Sequence, residues 1–367
     1  MQGRNDPTSE WVQEVNPQVA KRNRYANVQP WERSRIHLKV AEGKSDYINA
    51  SPISLRDPRT GVETKFIATQ VINFRSQCGQ WSDDQFSQGP KQSGISHFWQ
   101  MVWQETNDVA VIIMLTQTHE GAMEKCSQYF PLNAEAGSYM VDPIDRAEGT
   151  PEGSVTFSEI TSDQGSKTEV RKLSLRFGEE TKNVWHFLFS GWPDFAAPED
   201  QDRAALLKLL KLSAEKNSMP SNPRIIHCSA GVGRSGTFIA LEYLLTQVES
   251  GAIADTKDGA DIVYDVVNRL REQRMLMVQM DTQFQFLYDV VKEHYKQKQA
   301  ILQSSGQHSP KPQKSASGLR AALIDETQAE DGLFLKIGVG DGHDEDTEGI
   351  KTDKGRAGGA GKAGQDR

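Results

Sequence analysis

Hydrophobic residues along this chain follow two spacings. Short stretches rich in β-branched and aromatic residues predict strands, and longer stretches with apolar residues three and four positions apart predict helices. The predicted strands are Lys65–Thr69, Asp108–Leu115, Ser154–Ile160, Glu169–Phe177, Val184–Phe189 and Arg224–His227. The predicted helices are Ile95–Glu105, Gln201–Lys216, Ser235–Glu249, Asp261–Arg274 and Asp281–Gln297. Strands interleaved with helices predict an α/β fold, in which helices pack on a mixed sheet.

The pattern changes near residue 300, where apolar residues become sparse. Residues 300–367 are rich in Gly, Ser, Lys, Asp and Glu. Such a segment buries too little apolar surface to offset the entropy of ordering, so we expect a disordered tail. We expect residues 21–299 to form one globular domain, preceded by a short extension over residues 1–20.

Charge and apolar content argue against several classes of function. The formal net charge is −8, whereas general nucleic-acid-binding proteins carry a basic surface, so no nucleic-acid partner is expected. The longest apolar run, Val109–Leu115, is too short to cross a bilayer, and no signal peptide is evident. Cys78, Cys126 and Cys228 form no Cys-x-x-Cys pair, which fits a reducing compartment. We therefore expect a cytoplasmic protein with access to the nucleus, no membrane insertion and no metal or cofactor.

One loop combines a nucleophile with an anion cradle. The predicted strand Arg224–His227 leads into the sequence His-Cys-Ser-Ala-Gly-Val-Gly-Arg-Ser-Gly, and a predicted helix follows. Gly231 and Gly233 let the backbone curl so that several N–H groups point inward, beside the positive end of that helix. This field favours the thiolate of Cys228, and Arg234 offers a planar fork that matches two phosphate oxygens. The loop predicts phosphoryl transfer through a cysteinyl-phosphate intermediate.

Two other interpretations of this loop compete. The glycines at 231, 233 and 236 also match the fingerprint of a dinucleotide-binding oxidoreductase. However, Ala252–Ala260 is polar and contains Gly, so it does not resemble a second strand that ends in an acidic residue. The other interpretation is an ordinary buried thiol at Cys228, which its neighbours His227, Arg234 and Ser235 disfavour.

Several separate motifs within residues 21–299 resemble a non-receptor, tyrosine-specific protein tyrosine phosphatase. Trp192-Pro193-Asp194 resembles the mobile acid loop of that family, which implies Asp194 as general acid and then general base. Asn23-Arg24-Tyr25 resembles the substrate loop, which implies that the Tyr25 ring stacks on phosphotyrosine and sets the pocket depth. The resemblance also implies a highly twisted, mixed β-sheet flanked by helices. The implied substrates are tyrosine-phosphorylated proteins, kinases among them.

Further positions match the family one residue at a time. Gln279 and Gln283 match the glutamines that position water in the second chemical step, and Ser235 matches the donor to the departing thiolate. Glu120 matches the acid that braces the phosphate-binding Arg234. Trp192, Pro193 and His227 match supporting positions. The implied substrate-binding residues are Tyr25, Asn27, Ser229, Ala230, Gly231, Val232, Gly233 and Arg234.

Three departures from the family pattern stand out. Asn27 occupies a position where many members carry Asp, so we expect altered peptide anchoring with the chemistry intact. Few residues precede Lys21, fewer than the usual N-terminal helices of the family need. The run Phe-Ile-Ala-Thr-Gln-Gly-Pro is split after Gln70 by residues 71–88, which we interpret as an insertion or a retained intron translated in frame. A second function therefore stays open, namely a phosphotyrosine-binding module of weak or no activity.

Overall fold

The computed structural model describes residues 9–14, 17–70, 93–141, 149–192, 196–255 and 260–304. The helices are α1 (Pro17–Arg22), α2 (Ser93–Glu105), α3 (Asp200–Glu215), α4 (Gly233–Ser250), α5 (Ile262–Gln273) and α6 (Asp281–Ser304). The strands are β1 (Ala50–Arg56), β2 (Glu63–Thr69), β3 (Val109–Met114), β4 (His119–Glu120), β5 (Met123–Glu124), β6 (Ser138–Val141), β7 (Gly153–Asp163), β8 (Thr168–Phe177), β9 (Glu180–Phe189) and β10 (Arg224–His227). The predicted insertion and all but the first residues of the predicted tail lie outside the described residues.

Eight strands form one mixed sheet in the order β1-β2-β10-β3-β9-β8-β7-β6. The central neighbours β2, β10, β3 and β9 run parallel, and antiparallel strands complete both sides. The short hairpin β4–β5 stands apart as a second sheet. The sequence-based prediction of an α/β fold with a mixed sheet and flanking helices is confirmed.

The sheet has a hydrophobic core on each face, because side chains alternate along its strands. In β3, Val111 and Ile113 belong to one core, which also contains Phe238 of α4. Ala110, Ile112 and Met114 belong to the other, which contains Phe98 and Trp99 of α2. A central parallel strand is thus buried on both faces, which explains its unbroken apolar sequence.

The parallel strands bring the candidate site residues to one edge of the sheet. Thr69 and Met114 both pair with His227 at the end of β10, and Met114 pairs with Leu188 of β9. Parallel strands end on the same side, so the chain segments that follow them emerge side by side. Those segments contain Gln70, Cys228, Glu120 and Trp192.

Two strands of the sheet escaped the sequence-based prediction. β1 contains Pro52 and alternating polar residues, yet Ile53 and Leu55 are buried and the strand pairs with β2. A proline is tolerated there because β1 forms the edge of the sheet. β6 is a four-residue strand at the opposite edge. No helix in the described part of the chain is long and apolar enough to cross a membrane.

Candidate active site

The loop after β10 fits its surroundings only with glycine at two positions. Gly231 has φ +69, and a Cβ atom there would lie 2.1 Å from the carbonyl oxygen of Thr69 at the end of β2. A Cβ atom at Gly236 would lie 2.5 Å from the backbone nitrogen of Val278. The loop therefore packs closely between the end of β2 and the segment that precedes α6. Cys228 lies at its start with a free, buried side chain.

Arg234 lies in the first turn of α4, where it forms an ion pair with Glu120. Its Nη1 and Nη2 atoms donate to the two carboxylate oxygens of Glu120, at 2.5 and 3.1 Å, and Nη1 also donates to the Leu115 carbonyl. Thr116 donates to the same carboxylate at 2.8 Å, and Lys125 Nζ lies 3.8 Å from it. Both members of the pair are nearly buried, so the fork of Arg234 is held in a fixed orientation.

A second arginine, which the sequence analysis did not single out, supports the loop from behind. Arg274 is fully buried and donates to the carbonyl oxygens of Gly231 and Ala230, at 2.9 and 3.2 Å. It also donates to Asn49 Oδ1 and Ser51 Oγ. Burial lowers the pKa of Arg274 to about 10, so the guanidinium remains charged at neutral pH. Because Arg274 binds these two carbonyl oxygens, the N–H groups of the same two peptide units point away from Arg274.

The predicted substrate loop lies beside this cradle. The Tyr25 hydroxyl is 2.8 Å from Ser229 Oγ, and Ser229 donates its proton to the Lys125 carbonyl at 3.2 Å. Because a serine hydroxyl has one proton, Tyr25 is the donor in the first contact. The Arg24 amide donates to Gln70 Oε1 at 2.9 Å, which connects this loop to the end of β2. Asn27, two residues after Tyr25, is exposed.

The remaining predicted residues approach the loop from α6 and α4. Gln283 is buried, and its Oε1 accepts hydrogen bonds from the amides of Gln279 and Met280 at 3.1 and 3.3 Å. A Cβ atom at Gly233 would lie 3.1 Å from that same oxygen and 3.5 Å from the Cβ of Gln279. Ser235 is buried, and its hydroxyl has no hydrogen-bond partner among the described residues.

The predicted acid loop is described only at its ends. Trp192 is buried, and its indole N–H donates to the carbonyl oxygen of Ala196 at 3.0 Å. Pro193 and Asp194 lie outside the described residues, so the role of Asp194 stays a prediction. Trp192 follows β9 at the edge of the sheet where Cys228 follows β10.

His227 is buried at the end of β10, and burial lowers its pKa to about 4. Its Nε2 atom lies 2.6 Å from the Tyr129 hydroxyl. The ring is therefore neutral at physiological pH. Among the described residues, no group of three or more His, Cys, Asp and Glu side chains is arranged to hold a metal ion.

The topology does not favour the dinucleotide-binding interpretation. That fold needs a further parallel strand after the helix that follows the glycine-rich loop. Within the described residues, α4 is followed by α5 and α6, and β10 is the last strand of the sheet in chain order. The glycines match the fingerprint, but the strand that would complete the nucleotide site is missing from the described part of this domain.

Comparisons with known proteins give the same family. The family model described as protein-tyrosine phosphatase matches residues 19–78 and 84–293, and the break between the two parts falls inside the predicted insertion. Tyrosine-protein phosphatase 2 of Schizosaccharomyces pombe is 34% identical over 78% of this chain and 36% of its own length. Tyrosine-protein phosphatase 1 of Saccharomyces cerevisiae is 33% identical over 76% of this chain and 83% of its own length. Human tyrosine-protein phosphatase non-receptor type 7 is 34% identical, over 74% and 63%.

A solved structure shows the same fold. It is described as the structural basis of the PTPN18 fingerprint on distinct HER2 tyrosine phosphorylation sites. It has 24% sequence identity and a TM-score of 0.58, and the match covers 77% of this chain and 86% of that one. The chain spans 36% of the length of this fission yeast relative and 47% of the length of another, tyrosine-protein phosphatase 1 of Schizosaccharomyces pombe. The family match nevertheless covers most of the chain, and the chain belongs to the protein-tyrosine phosphatase family.

Proposed function

We propose that this chain hydrolyses phosphotyrosine in proteins, with Cys228 as the nucleophile. The observation that carries the proposal is the loop from Cys228 to Arg234. It joins a buried thiol, a helix N-terminus and an arginine fixed by Glu120 in one short segment. Such an arrangement suits a phosphate group, because the helix N-terminus and the arginine bind its oxygens while the sulfur attacks the phosphorus. Family membership supports the same activity.

In the first step, the Cys228 thiolate attacks phosphorus, and the bond between phosphorus and the tyrosine oxygen breaks. Asp194 gives its proton to that oxygen, so that a neutral phenol leaves. Backbone N–H groups of the loop and the Arg234 guanidinium meet the charge on the phosphoryl oxygens. Glu120 limits the motion of Arg234, and the fork therefore needs little reorganisation during the reaction.

In the second step, water attacks phosphorus and the bond between sulfur and phosphorus breaks. Asp194 accepts a proton from the water, and Gln279 and Gln283 hold that water in line. The Ser235 hydroxyl donates to the departing thiolate. Its lack of another partner among the described residues supports this role, because the proton is not engaged elsewhere.

Pocket depth would give selectivity for tyrosine. Tyr25, anchored to Ser229, provides an aromatic wall beside the cradle that can stack on the substrate ring. A long phosphotyrosine side chain then reaches Cys228, whereas the shorter phosphoserine falls short. We propose tyrosine-phosphorylated proteins of the cytoplasm as substrates, kinases among them. The distribution of cysteines supports that compartment.

The second candidate is a phosphotyrosine-binding module with little turnover. The observation that favours it is the interruption of the family match within residues 71–88, directly after the strand end against which Gly231 packs. Deleting residues 71–88 discriminates between the two. Equal turnover by both chains supports the first proposal. Turnover only after the deletion supports the second.

The test of the proposed function is phosphate release from matched phosphotyrosyl and phosphoseryl peptides. We expect the full chain to hydrolyse the first and to leave the second unchanged. Cys228→Ser should lose the activity while it still binds the phosphotyrosyl peptide. Equal hydrolysis of both peptides, or full activity in Cys228→Ser, would overturn the proposal.

A further inference from the structure

Behind the cysteine loop, one tyrosine hydroxyl lies between two buried histidines. The Tyr129 oxygen is 2.6 Å from Nε2 of His227 and 2.8 Å from Nε2 of His186. All three side chains are at most 1% exposed. Burial lowers the pKa of both histidines, that of His227 to about 4, so both rings are neutral at pH 7. The same burial raises the pKa of Tyr129, which keeps its proton.

Counting protons shows that the two histidines differ. The Tyr129 hydroxyl has one proton, so it donates to one ring and accepts from the other. One Nε2 atom is therefore an acceptor and the other carries a proton. Because a neutral imidazole has a single N–H, the two rings must be opposite tautomers.

The carbonyl of Cys228 determines which ring is which. His227 Nδ1 lies 3.4 Å from this oxygen, which can only accept. The proton of His227 is therefore on Nδ1, and its Nε2 accepts from Tyr129. It follows that His186 carries its proton on Nε2 and donates it to the Tyr129 oxygen. His186 Nδ1 is left as an unprotonated acceptor.

An arginine on the neighbouring strand helps to keep His186 neutral. Arg171 of β8 lies opposite His186 in the register of β8 and β9. Its guanidinium lies over the Phe130 ring. The centroid of that ring is 4.1 Å from the centroid of the His186 ring. Arg171 is buried, and its Nε and Nη1 have no partner among the described residues, like Nδ1 of His186. The positive charge of the guanidinium opposes a second positive charge on His186 and so helps to keep that ring neutral. The titratable groups around this cluster are Tyr129, His227, Arg171, the Glu169 carboxylate that pairs with Arg171, and, beside Tyr129, Cys126.

We infer that His186 is a positioning residue for Cys228. It starts a hydrogen-bond chain that runs from its Nε2–H through Tyr129 and His227 to the Cys228 carbonyl, and that accepting carbonyl sets the direction. This series of hydrogen bonds fixes the orientation of the peptide group between Cys228 and Ser229. It thereby fixes the backbone amides that line the cradle. As a role in catalysis, this inference rests on the proposed function. The tautomers themselves do not depend on it.

The first test is the protonation of the two rings in the full chain. Long-range ¹H–¹⁵N spectra distinguish the tautomers of a neutral histidine, and His186→Gln identifies the signal of His186. We expect Nε2–H on His186 and Nδ1–H on His227 at pH 7. In Arg171→Met, His186 should take up a proton at a higher pH than in the wild type. A proton on Nδ1 of His186, or a charged His186 ring at pH 7, would overturn the inference whether or not the chain is active.

The second test separates positioning from packing with two variants of His186. His186→Gln places an amide donor near the position of Nε2, whereas His186→Phe keeps a ring against Phe130 and loses the donor. If the donor matters, the Gln variant retains kcat/KM within about threefold, and the Phe variant loses about tenfold, the usual effect of one hydrogen bond. The acid limb of the kcat/KM profile should also move to higher pH in the Phe variant alone. The reverse order, with Phe near wild type and Gln impaired, would show that only packing matters.

Discussion

Arg234 and Glu120 are 114 positions apart in the chain and meet through two hydrogen bonds. Glu120 belongs to the hairpin that follows β3, and Arg234 to the first turn after the β10 loop. β3 and β10 are parallel neighbours, so both residues emerge at the same edge of the sheet. The order of the strands therefore places a carboxylate behind the arginine that faces the proposed phosphate site.

Replacing Glu120 should weaken the site without dismantling it. In Glu120→Gln the Arg234 fork loses its charged partner, and breaking such a nearly buried pair costs ~3 kcal/mol. We expect kcat/KM for a phosphotyrosyl peptide to fall by about a hundredfold. Glu124→Gln on the same hairpin is the control, because Glu124 is exposed and its carboxylate accepts from Ser127, whereas the Arg24 contact is to its backbone carbonyl. Equal losses in the two variants would remove the special role of Glu120.

The fold and the floor of the site could be predicted because their signals are local. Unbroken apolar stretches identify central strands such as β3, and Cys-x5-Arg with two glycines identifies the cradle. Edge strands are harder to predict from the sequence, since β1 is half exposed and contains Pro52. Its pairing with β2 depends on tertiary contacts that no local pattern encodes.

The supporting residues could not be predicted, because their significance arises from contacts distant in sequence. Arg274 ends a helical pattern and resembles an ordinary surface arginine in the sequence, yet it is buried against Asn49 and Gly231. Tyr129 and His186 are 57 positions apart in the sequence and come into contact only in the folded chain. The one available signal for Arg274 was its position directly before the apolar run that leads to Gln279.

Two glycines with similar backbone angles allow the strain of the loop to be measured. Gly231 has φ +69 and Gly43 has φ +75, but a Cβ atom at Gly43 would meet nothing within 4 Å. Gly43→Ala should therefore cost only the left-handed conformation, about 1 kcal/mol. Gly231→Ala adds a clash with the Thr69 backbone, so we expect a loss of about 3 kcal/mol or more in unfolding free energy and of activity. Similar denaturation midpoints for both variants would show that the loop has room to adapt.

The buried histidines predict a loss of stability in mild acid. His227 has a folded pKa of about 4, and that of His186 is also below its usual value. Both rings bind protons near pH 6.5 once the chain unfolds, so above that pH they contribute no pH dependence. As the pH falls from about 6.5 towards 4, each lowers the unfolding free energy by about 1.4 kcal/mol per pH unit.

Urea denaturation between pH 6.5 and 5 measures this slope, because carboxylates titrate mainly below that range. His186→Gln should be less steep than the wild type by about 1.4 kcal/mol per pH unit, since one of the histidines with a lowered pKa is gone. Identical slopes would mean that His186 takes up its proton over the same pH range in the folded and the unfolded chain.

Asn27 should limit peptide binding and leave the chemistry intact. Asn27→Asp introduces a charged acceptor at an exposed position two residues after Tyr25, and charge-assisted hydrogen bonds are roughly twice as strong as neutral ones. We expect kcat/KM to rise about fivefold on phosphotyrosyl peptides. A small aryl phosphate, which lacks a peptide backbone, is the control substrate and should react at the wild-type rate. A gain on both substrates would assign the effect to the phosphate site.

The central claim is that Cys228 carries the phosphoryl group during turnover. It is tested most directly by rapid quenching of the Gln279→Ala chain, in which the second step should be slow, with a ³²P-labelled phosphotyrosyl peptide. Mapping of the label should find it on Cys228, and the same chain with Cys228→Ser added should carry none. Label on a different residue, or label that persists without Cys228, would contradict the account.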